Sequence, residues 1–297
     1  MTVAPRPTAT FRLIAAFSRF ALSPVEVVGP ETARRELARA SRGPGWLVGA
    51  RRDLASVCDD TVAGVPVRRY RPHDARPGTI VLFHGGGWML GNVETHDGLA
   101  RALAAETTHE VMSVEYRRAP EHRYPAALDD AEAVTRALVA RDRVVVAGDS
   151  AGGNLAASVA NRVPVAGQFL MYPVTDCADE RPSHEIYGTG HVLTREAIRY
   201  FRREYVPDVA QRHESGASPV RASSLAQSAP AYLVIAQCDV VRDEGVAYAG
   251  RLQEAGVDVT LDEVPGTLHG FMSMLGLRQA RGALRRAAPW LRSRLQS

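Results

Sequence analysis

The sequence predicts one large α/β domain, in which a mostly parallel β-sheet is flanked by helices on both faces. Apolar, β-rich segments alternate with segments of helical periodicity over residues 79–295, and this alternation is typical of a parallel sheet. Several of the β-rich segments, 79–83 among them, are apolar without a break, as strands buried on both faces are. At 297 residues the chain can bury the core that such a sheet requires.

The first 50 residues are predicted to be helical. Apolar side chains recur near helical spacing at Phe11, Ile14, Phe17 and Leu22, and residues 31–42 form a charged amphipathic stretch. A helix on a membrane surface and a helix packed over the body of the protein both fit this pattern, and we favour the packed helix.

The remaining elements follow in order. Gly43-Pro44-Gly45 ends the helical pattern, and a turn-rich segment, 59–64, separates two edge strands. The predicted strands are 54–57, 65–71, 79–83, 111–116, 143–147, 168–172, 231–236 and 257–264. The predicted helices are 95–106, 125–139, 151–161, 194–205, 243–255 and 278–295. Alternation lapses over 176–218, which predicts an insertion over the carboxyl edge of the sheet, where such folds bind ligands. Thr194 is the expected cap of the helix inside it.

The charge pattern argues against a nucleic-acid partner. All 36 basic residues are arginine, the net charge is only +3, and the arginines are scattered among acids without forming a stripe. The three cysteines, Cys58, Cys177 and Cys238, are widely spaced, so no disulfide framework and no zinc or other metal site is expected. With neither a signal-peptide core nor a stretch long enough for stable membrane insertion, we expect a cytoplasmic, soluble protein.

The stretch from Val144 to Asn154 carries the first chemical signal. It is predicted to be a buried strand, a tight turn and a helix that starts with small residues, and it holds the spacing Gly148-x-Ser150-x-Gly152. This is the nucleophile-elbow pattern, in which the turn presents one serine above the sheet. A G-x-S-x-G also arises by chance in loops, but the predicted strand and helix are the context that the motif requires.

A serine nucleophile needs a histidine base and an acid to orient it, and in this architecture the order is serine, acid, histidine. Asp239 directly follows the strand 231–236, and His269 follows the strand 257–264. His269 is the only histidine after Asp239. Asp243 and Glu244 compete for the acid role, but both fall on the next predicted helix, so we favour Asp239.

An oxyanion needs hydrogen-bond donors, and the glycine run Gly85 to Gly87 follows the buried strand 79–83. Glycines let bare backbone N–H groups approach a ligand closely. Together with the N–H group of Ala151, they would form an oxyanion hole.

These motifs resemble those of the hormone-sensitive-lipase-like (bacterial family IV) carboxylesterases, which have the α/β-hydrolase fold. The resemblance rests on four segments in order: His84-Gly-Gly-Gly-Trp88, Gly148-Asp-Ser-Ala-Gly-Gly-Asn154, Asp239 before Val-Val-Arg-Asp-Glu-Gly245, and His269-Gly-Phe271. Hydrolysis of short- to medium-chain esters without a cofactor is the activity that it implies. The implied site comprises the triad Ser150, Asp239 and His269, an oxyanion hole at Gly86, Gly87 and Ala151, and a structural role for His84.

The resemblance also implies a helical cap, formed by residues 1–50 and an insertion at about 176–218, on a catalytic domain of residues 51–297. Side chains that could contact the ester substrate are Trp88, Val192, Ala197, Ile198 and Phe201, with His191 and Arg195 facing either a polar group or solvent. Some members of the family form homodimers through an edge strand, and this state stays open here.

Two other functions remain as alternatives. The first is an acyltransferase, cyclase or lyase that uses the same triad in a biosynthetic pathway. The second is a binding module, like the plant hormone receptors that resemble these esterases. Such receptors usually lack the histidine, whereas this chain retains His269.

Overall fold

One eight-stranded sheet forms the centre of the computed structural model, which describes residues 4–296. The strands are β1 (Ser56–Val62), β2 (Val65–Arg71), β3 (Arg76–Phe83), β4 (His109–Val114), β5 (Val144–Asp149), β6 (Gly167–Met171), β7 (Ala231–Ala236) and β8 (Val259–Val264). Their order in the sheet is β1-β2-β4-β3-β5-β6-β7-β8. β2 pairs antiparallel with β1 and β4, and the other neighbours pair in parallel.

Helices cover both faces of this sheet. They are α1 (Ala9–Ala21), α2 (Val25–Ala40), α3 (Gly45–Val48), α4 (Asp97–Thr107), α5 (Ala126–Val139), α6 (Ala151–Ala160), α7 (Pro182–Ile186), α8 (Arg195–Tyr205), α9 (Arg242–Glu254) and α10 (Arg278–Gln296). Alternate residues of the central strands enter two separate cores. Val81 and Val146 pack on the face covered by α5, α6 and α9, whereas Ile80 and Val145 pack on the face covered by α4 and α10. The predicted α/β fold is confirmed.

The register of the parallel strands determines where the site can form. Phe83 at the end of β3 pairs with Gly148 near the end of β5, and Ala236 pairs with Val264 where β7 and β8 end. The loops that follow these strands therefore emerge at one carboxyl edge of the sheet. These loops contain the glycine run, the elbow serine, Asp239 and His269.

The predicted turn over residues 59–64 is wrong. β1 continues to Val62, which pairs with Val65, and only Ala63 and Gly64 form the turn. Both residues have positive φ values, 51° and 81°, as a two-residue hairpin turn of type I′ requires. The polar residues that suggested a longer turn lie on an exposed edge strand, where water solvates their side chains.

A buried charged cluster fastens α8 to the body of the protein. The guanidinium of Arg202 donates to Glu244 Oε1 at 2.6 Å, and His184 Nε2 lies 3.1 Å from the same oxygen. The other oxygen, Oε2, accepts the N–H groups of Thr175 and Asp176 at 2.8 and 2.9 Å. Glu244 is fully buried and Arg202 nearly so.

Thr194 caps helix α8 by accepting the N–H of Ala197 at 3.1 Å, so its predicted role is confirmed.

Glu244→Gln is expected to lower the free energy of unfolding by about 3 kcal/mol or more, because Arg202 would keep a buried charge without its counter-ion. Urea unfolding followed by circular dichroism measures this. The control is Glu254→Gln on the exposed side of the same helix, which should change the value by less than about 0.5 kcal/mol. Equal effects of the two substitutions would contradict a stabilising role for the cluster.

Candidate active site

Ser150 lies in the turn between β5 and α6 with a strained backbone, φ 56° and ψ −117°. A non-glycine residue rarely adopts a positive φ, and such strain is typical of functional sites. The neighbouring glycines permit the turn. A Cβ atom on Gly148 would collide with the backbone of Gly152, and one on Gly152 would collide with the carbonyl of Phe83.

The structure brings Ser150, His269 and Asp239 into one hydrogen-bonded chain. His269 Nε2 lies 2.8 Å from Ser150 Oγ, and His269 Nδ1 lies 2.7 Å from Asp239 Oδ2. Asp239 Oδ1 accepts the N–H of Val241 at 3.1 Å, which fixes the carboxylate further. The Asp239 side chain is fully buried, and the imidazole is 12% exposed. A serine within reach of an oriented imidazole is the arrangement of an activated nucleophile.

The two competing carboxylates are engaged elsewhere. Asp243 accepts the N–H of Ser183 at 2.9 Å and pairs with Arg242, and Glu244 belongs to the cluster with Arg202. Because both lie on α9 rather than at the end of β7, neither carboxylate takes the position beside His269.

The glycine run places Gly86 and Gly87 in the wall of the cavity that also contains Ser150 and His269. Both glycines have positive φ values, 107° and 62°. Within residues 4–296, no backbone acceptor takes the N–H groups of Gly86, Gly87 or Ala151. Ala151 is fully buried at the start of α6, directly after Ser150. These three N–H groups are therefore available to an anion near the serine.

The sequence and the fold are similar to those of known hydrolases. Residues 80–273 match a protein family described as the alpha/beta hydrolase fold. An ethyl acetate hydrolase of Pseudomonas putida is 40% identical over 229 residues, which cover 71% of this chain and 72% of that protein. The chain belongs to the α/β-hydrolase fold family. Its resemblance to the hormone-sensitive-lipase-like esterases is confirmed.

Two further proteins, both named as esterases, are similar to this chain. A carboxylesterase of Mycobacterium tuberculosis is 36% identical over 264 residues, covering 82% of this chain and 83% of that protein. The structure of a hyperthermophilic esterase from the archaeon Pyrobaculum calidifontis matches with a TM-score of 0.91 at 32% identity, and the match covers 97% of this chain and 98% of that one.

In this α/β hydrolase a buried ion pair lies behind the glycine run. Asp149 Oδ1 accepts the N–H of Gly85 at 2.8 Å and lies 3.2 Å from His96 Nε2. The Thr95 hydroxyl donates to the carbonyl of Asn92 at 2.8 Å, so its oxygen accepts from His96 Nδ1 at 2.9 Å. Thr95 Oγ1 and Asp149 Oδ1 are the two acceptors that a charged imidazolium needs, and the Gly85 nitrogen lies 3.2 Å from Nε2 as well. The pair fixes the start of the glycine run to the elbow.

Burial is the largest single influence and opposes the charged forms of both groups, but the partner's charge and the hydrogen bonds together outweigh it. The pKa of His96 is therefore raised, and the pKa of Asp149 is lowered. A histidine with a raised pKa in the folded state stabilises the fold fully below its unfolded pKa of about 6.5. That contribution is lost as the pH rises through the higher, folded-state pKa.

His96→Gln is therefore expected to destabilise the protein more at about pH 5.5 than at about pH 9, because the wild type gives up the charge contribution of His96 as the pH rises. Urea unfolding at several pH values measures the difference. The control is His122→Gln, which changes an exposed histidine. A loss of stability for His96→Gln that does not vary with pH would contradict a charged His96.

His84 is stacked on Tyr116, with ring centroids 4.1 Å apart, and the Tyr116 hydroxyl donates to the His84 carbonyl at 2.7 Å. Burial lowers the pKa of the His84 imidazole to about 3. A neutral, enclosed ring supports the glycine run mechanically, which is in keeping with the structural role that the resemblance implies.

A cavity of about 1480 Å³ opens over Ser150 and His269. Its lining includes all five residues expected to contact the substrate, namely Trp88, Val192, Ala197, Ile198 and Phe201. Trp88 is only 1% exposed and stacks on Tyr205 at 4.5 Å, so most of its ring supports the wall. Asp239 and Ala151 lie behind the lining. Of the two residues expected to face either a polar group or solvent, His191 lines the cavity, whereas Arg195 pairs with Glu180 instead.

Three features of this region were not predicted from the sequence. His96 lies 53 positions before its partner (149 − 96), and only the presence of an aspartate at the end of a buried strand could have indicated that a partner exists. Tyr172, with a φ of 36°, packs its ring 4.8 Å from the His269 imidazole. Side chains of α1 and α2, such as Phe17 and Leu37, also line the cavity; the resemblance implies a cap from residues 1–50 but not which of its side chains face the cavity.

Proposed function

We propose that this protein is a serine carboxylesterase that hydrolyses short- to medium-chain carboxylic esters through an acyl-enzyme. The observation that carries the proposal is the pair of hydrogen bonds through His269, 2.8 Å to Ser150 Oγ and 2.7 Å to Asp239. The named activities of the relatives, ethyl acetate hydrolase and carboxylesterase, are hydrolyses of this class.

In the acylation step, His269 Nε2 takes the proton of the Ser150 hydroxyl as Oγ attacks the ester carbonyl. The negative charge on the tetrahedral oxygen is stabilised by N–H groups of Gly86, Gly87 and Ala151. Asp239 holds the imidazole in the required tautomer and stabilises its charged form. The intermediate then collapses, the imidazolium gives its proton to the leaving oxygen, and the alcohol departs from the acyl-enzyme.

Deacylation repeats this chemistry with water. His269 takes a proton from a water molecule that attacks the acyl carbonyl, and the same N–H groups stabilise the second oxyanion. Collapse returns the proton to Ser150 Oγ and releases the carboxylic acid. Besides the ester and the water, both steps use only side chains and backbone N–H groups of this chain.

Ser150→Ala is expected to lower kcat by about a million-fold because the nucleophile is lost. Asp239→Asn is expected to lower kcat by about 10⁴-fold, because the imidazole of His269 is no longer held in the required tautomer. Hydrolysis of p-nitrophenyl butyrate measures both. Asp243→Asn is the matched control for the acid, since Asp243 lies nearby on α9 and should leave kcat within a few-fold. Near-normal turnover of Asp239→Asn would refute its assignment.

We propose the following domain organisation. Residues 1–50 and the insertion at about 176–218 form the cap, and residues 51–297 form the catalytic domain with that insertion. Lining side chains from α1, α2 and α8 support this division, because they enclose the space above Ser150. The first three residues and Ser297 lie outside the described part of the chain.

Ala197 is proposed to line the acyl pocket, where its small side chain leaves room. Ala197→Phe should therefore lower kcat/KM for p-nitrophenyl hexanoate at least about tenfold more than for the acetate, since excess bulk excludes the longer chain first. A series of p-nitrophenyl esters measures this. The control is Glu196→Phe at the exposed neighbouring position of α8. An equal loss for both esters would place the acyl group elsewhere.

The proposal also covers the binding partner of the protein and its cellular compartment. The partner is a small-molecule ester, and homodimer formation stays a prediction. Cys58 is an exposed free thiol, which suits the reducing conditions of the cytoplasm. No helix within residues 4–296 has the length and apolar character needed to cross a bilayer.

Acyl transfer, cyclisation or elimination at the same triad is not favoured, because the relatives are named for hydrolysis.

A further inference from the structure

Helix α1 is fixed by one face to the loop that carries His269. The N–H of Thr8, just before the helix, donates to the carbonyl of Gly266 at 3.0 Å. The buried ring of Phe11 packs edge-on against Phe271, with centroids 6.5 Å apart. Gly266 and Phe271 flank His269 in the chain, so α1 lies against the loop that positions the proposed base.

The opposite face of α1 is apolar and open to solvent. Leu13, Phe17 and Phe20 are 73%, 70% and 91% exposed. Their spacing of four and then three residues places them in one stripe along the helix, and the small Ala16 and Ala21 beside them are exposed as well. Single exposed apolar side chains are ordinary, but a contiguous group on one helix indicates an interaction surface.

Arginines are the only charged residues in the sequence of α1 and its flanking residues, and the acid Glu36 of α2 is engaged by Ser23. Arg6, Arg12 and Arg19 are exposed, and no acidic residue occurs from residue 4 to Val25, although the whole chain has nearly as many acids as bases, 33 against 36. An apolar helical face on a helix whose only charged residues are arginines is complementary to an anionic lipid surface, because the apolar side chains enter the interface while the guanidinium groups meet the headgroups.

The stripe lies beside the mouth of the substrate cavity. Ile14, Phe17 and Ser18 are part of the cavity lining. Because Phe17 lines the cavity and is also largely exposed, it marks the rim. A surface in contact with α1 would therefore face the opening above Ser150.

We propose that α1 docks this protein reversibly on anionic lipid surfaces through Leu13, Phe17 and Phe20, with the cavity mouth turned towards the lipid. A second copy of the chain fits the stripe poorly. A two-fold contact between two α1 helices would bring Arg12 and Arg19 near the arginines of the other copy, with no acid on either helix to balance them. Docking does not depend on ester hydrolysis and is measured separately from it.

Flotation with phospholipid vesicles tests the proposal, using the Ser150→Ala protein so that no ester is cleaved. It should bind vesicles of phosphatidylcholine with about 30% phosphatidylglycerol, and bind them at least about tenfold more weakly in 0.5 M salt or without the anionic lipid. Adding Leu13→Ser with Phe20→Ser should lower the partition coefficient at least about tenfold. The control pair is Val209→Ser with Leu261→Ser, exposed apolar residues outside α1, and it should bind as the parent does.

Circular dichroism and thermal unfolding establish that the α1 variant is folded, and both variant residues lie outside the cavity lining. Failure of the parent protein to bind the anionic vesicles would overturn the proposal, as would equal binding by the parent and the α1 variant. A dimer in solution that the α1 substitutions convert to a monomer, with no vesicle binding, would assign the stripe to a second copy instead. Because the vesicle test uses the inactive Ser150→Ala protein, its result is independent of whether the wild type hydrolyses esters.

Discussion

The constraint on which the site depends is the turn that holds Ser150 at a positive φ of 56°. The turn exists because Gly148 and Gly152 allow the crossing backbones to touch, and because the parallel register aligns the ends of β3 and β5. Once the serine is fixed there, the loops after β7 and β8 can bring an acid and a histidine to it. The position of Ser150 therefore determines which polar side chains at this edge of the sheet are close enough to take part in the chemistry.

Buried charge organises the surroundings of that turn. On one side, the pair of Asp149 and His96 ties the elbow to the glycine run. On another, Glu244 and Arg202 fasten α8, which supplies part of the cavity wall. Buried ion pairs contribute little net stability but are costly to break. Both pairs therefore hold the glycine run and α8 in place, and removing one partner of either pair is expected to be costly.

The sequence was most informative where short-range rules apply. Local spacing indicates the elbow, the central apolar strands, and the order of serine, acid and histidine along the chain. The fold class could therefore be predicted. His96, Tyr172 and the lining from α1 could not, because their partners are distant in the chain and no periodicity records such contacts. The error at residues 59–64 has a similar cause, since polar residues on an exposed edge strand look like a turn.

The central claim is that Ser150 is made nucleophilic by convergence with His269 and Asp239. Labelling with a fluorophosphonate, followed by mass spectrometry of the digested protein, tests it most directly. We expect one phosphonyl group per chain, on the peptide that contains Ser150, with labelling slowed about 10³-fold or more by His269→Gln. A label on another residue, or an unchanged labelling rate without the histidine, would contradict it.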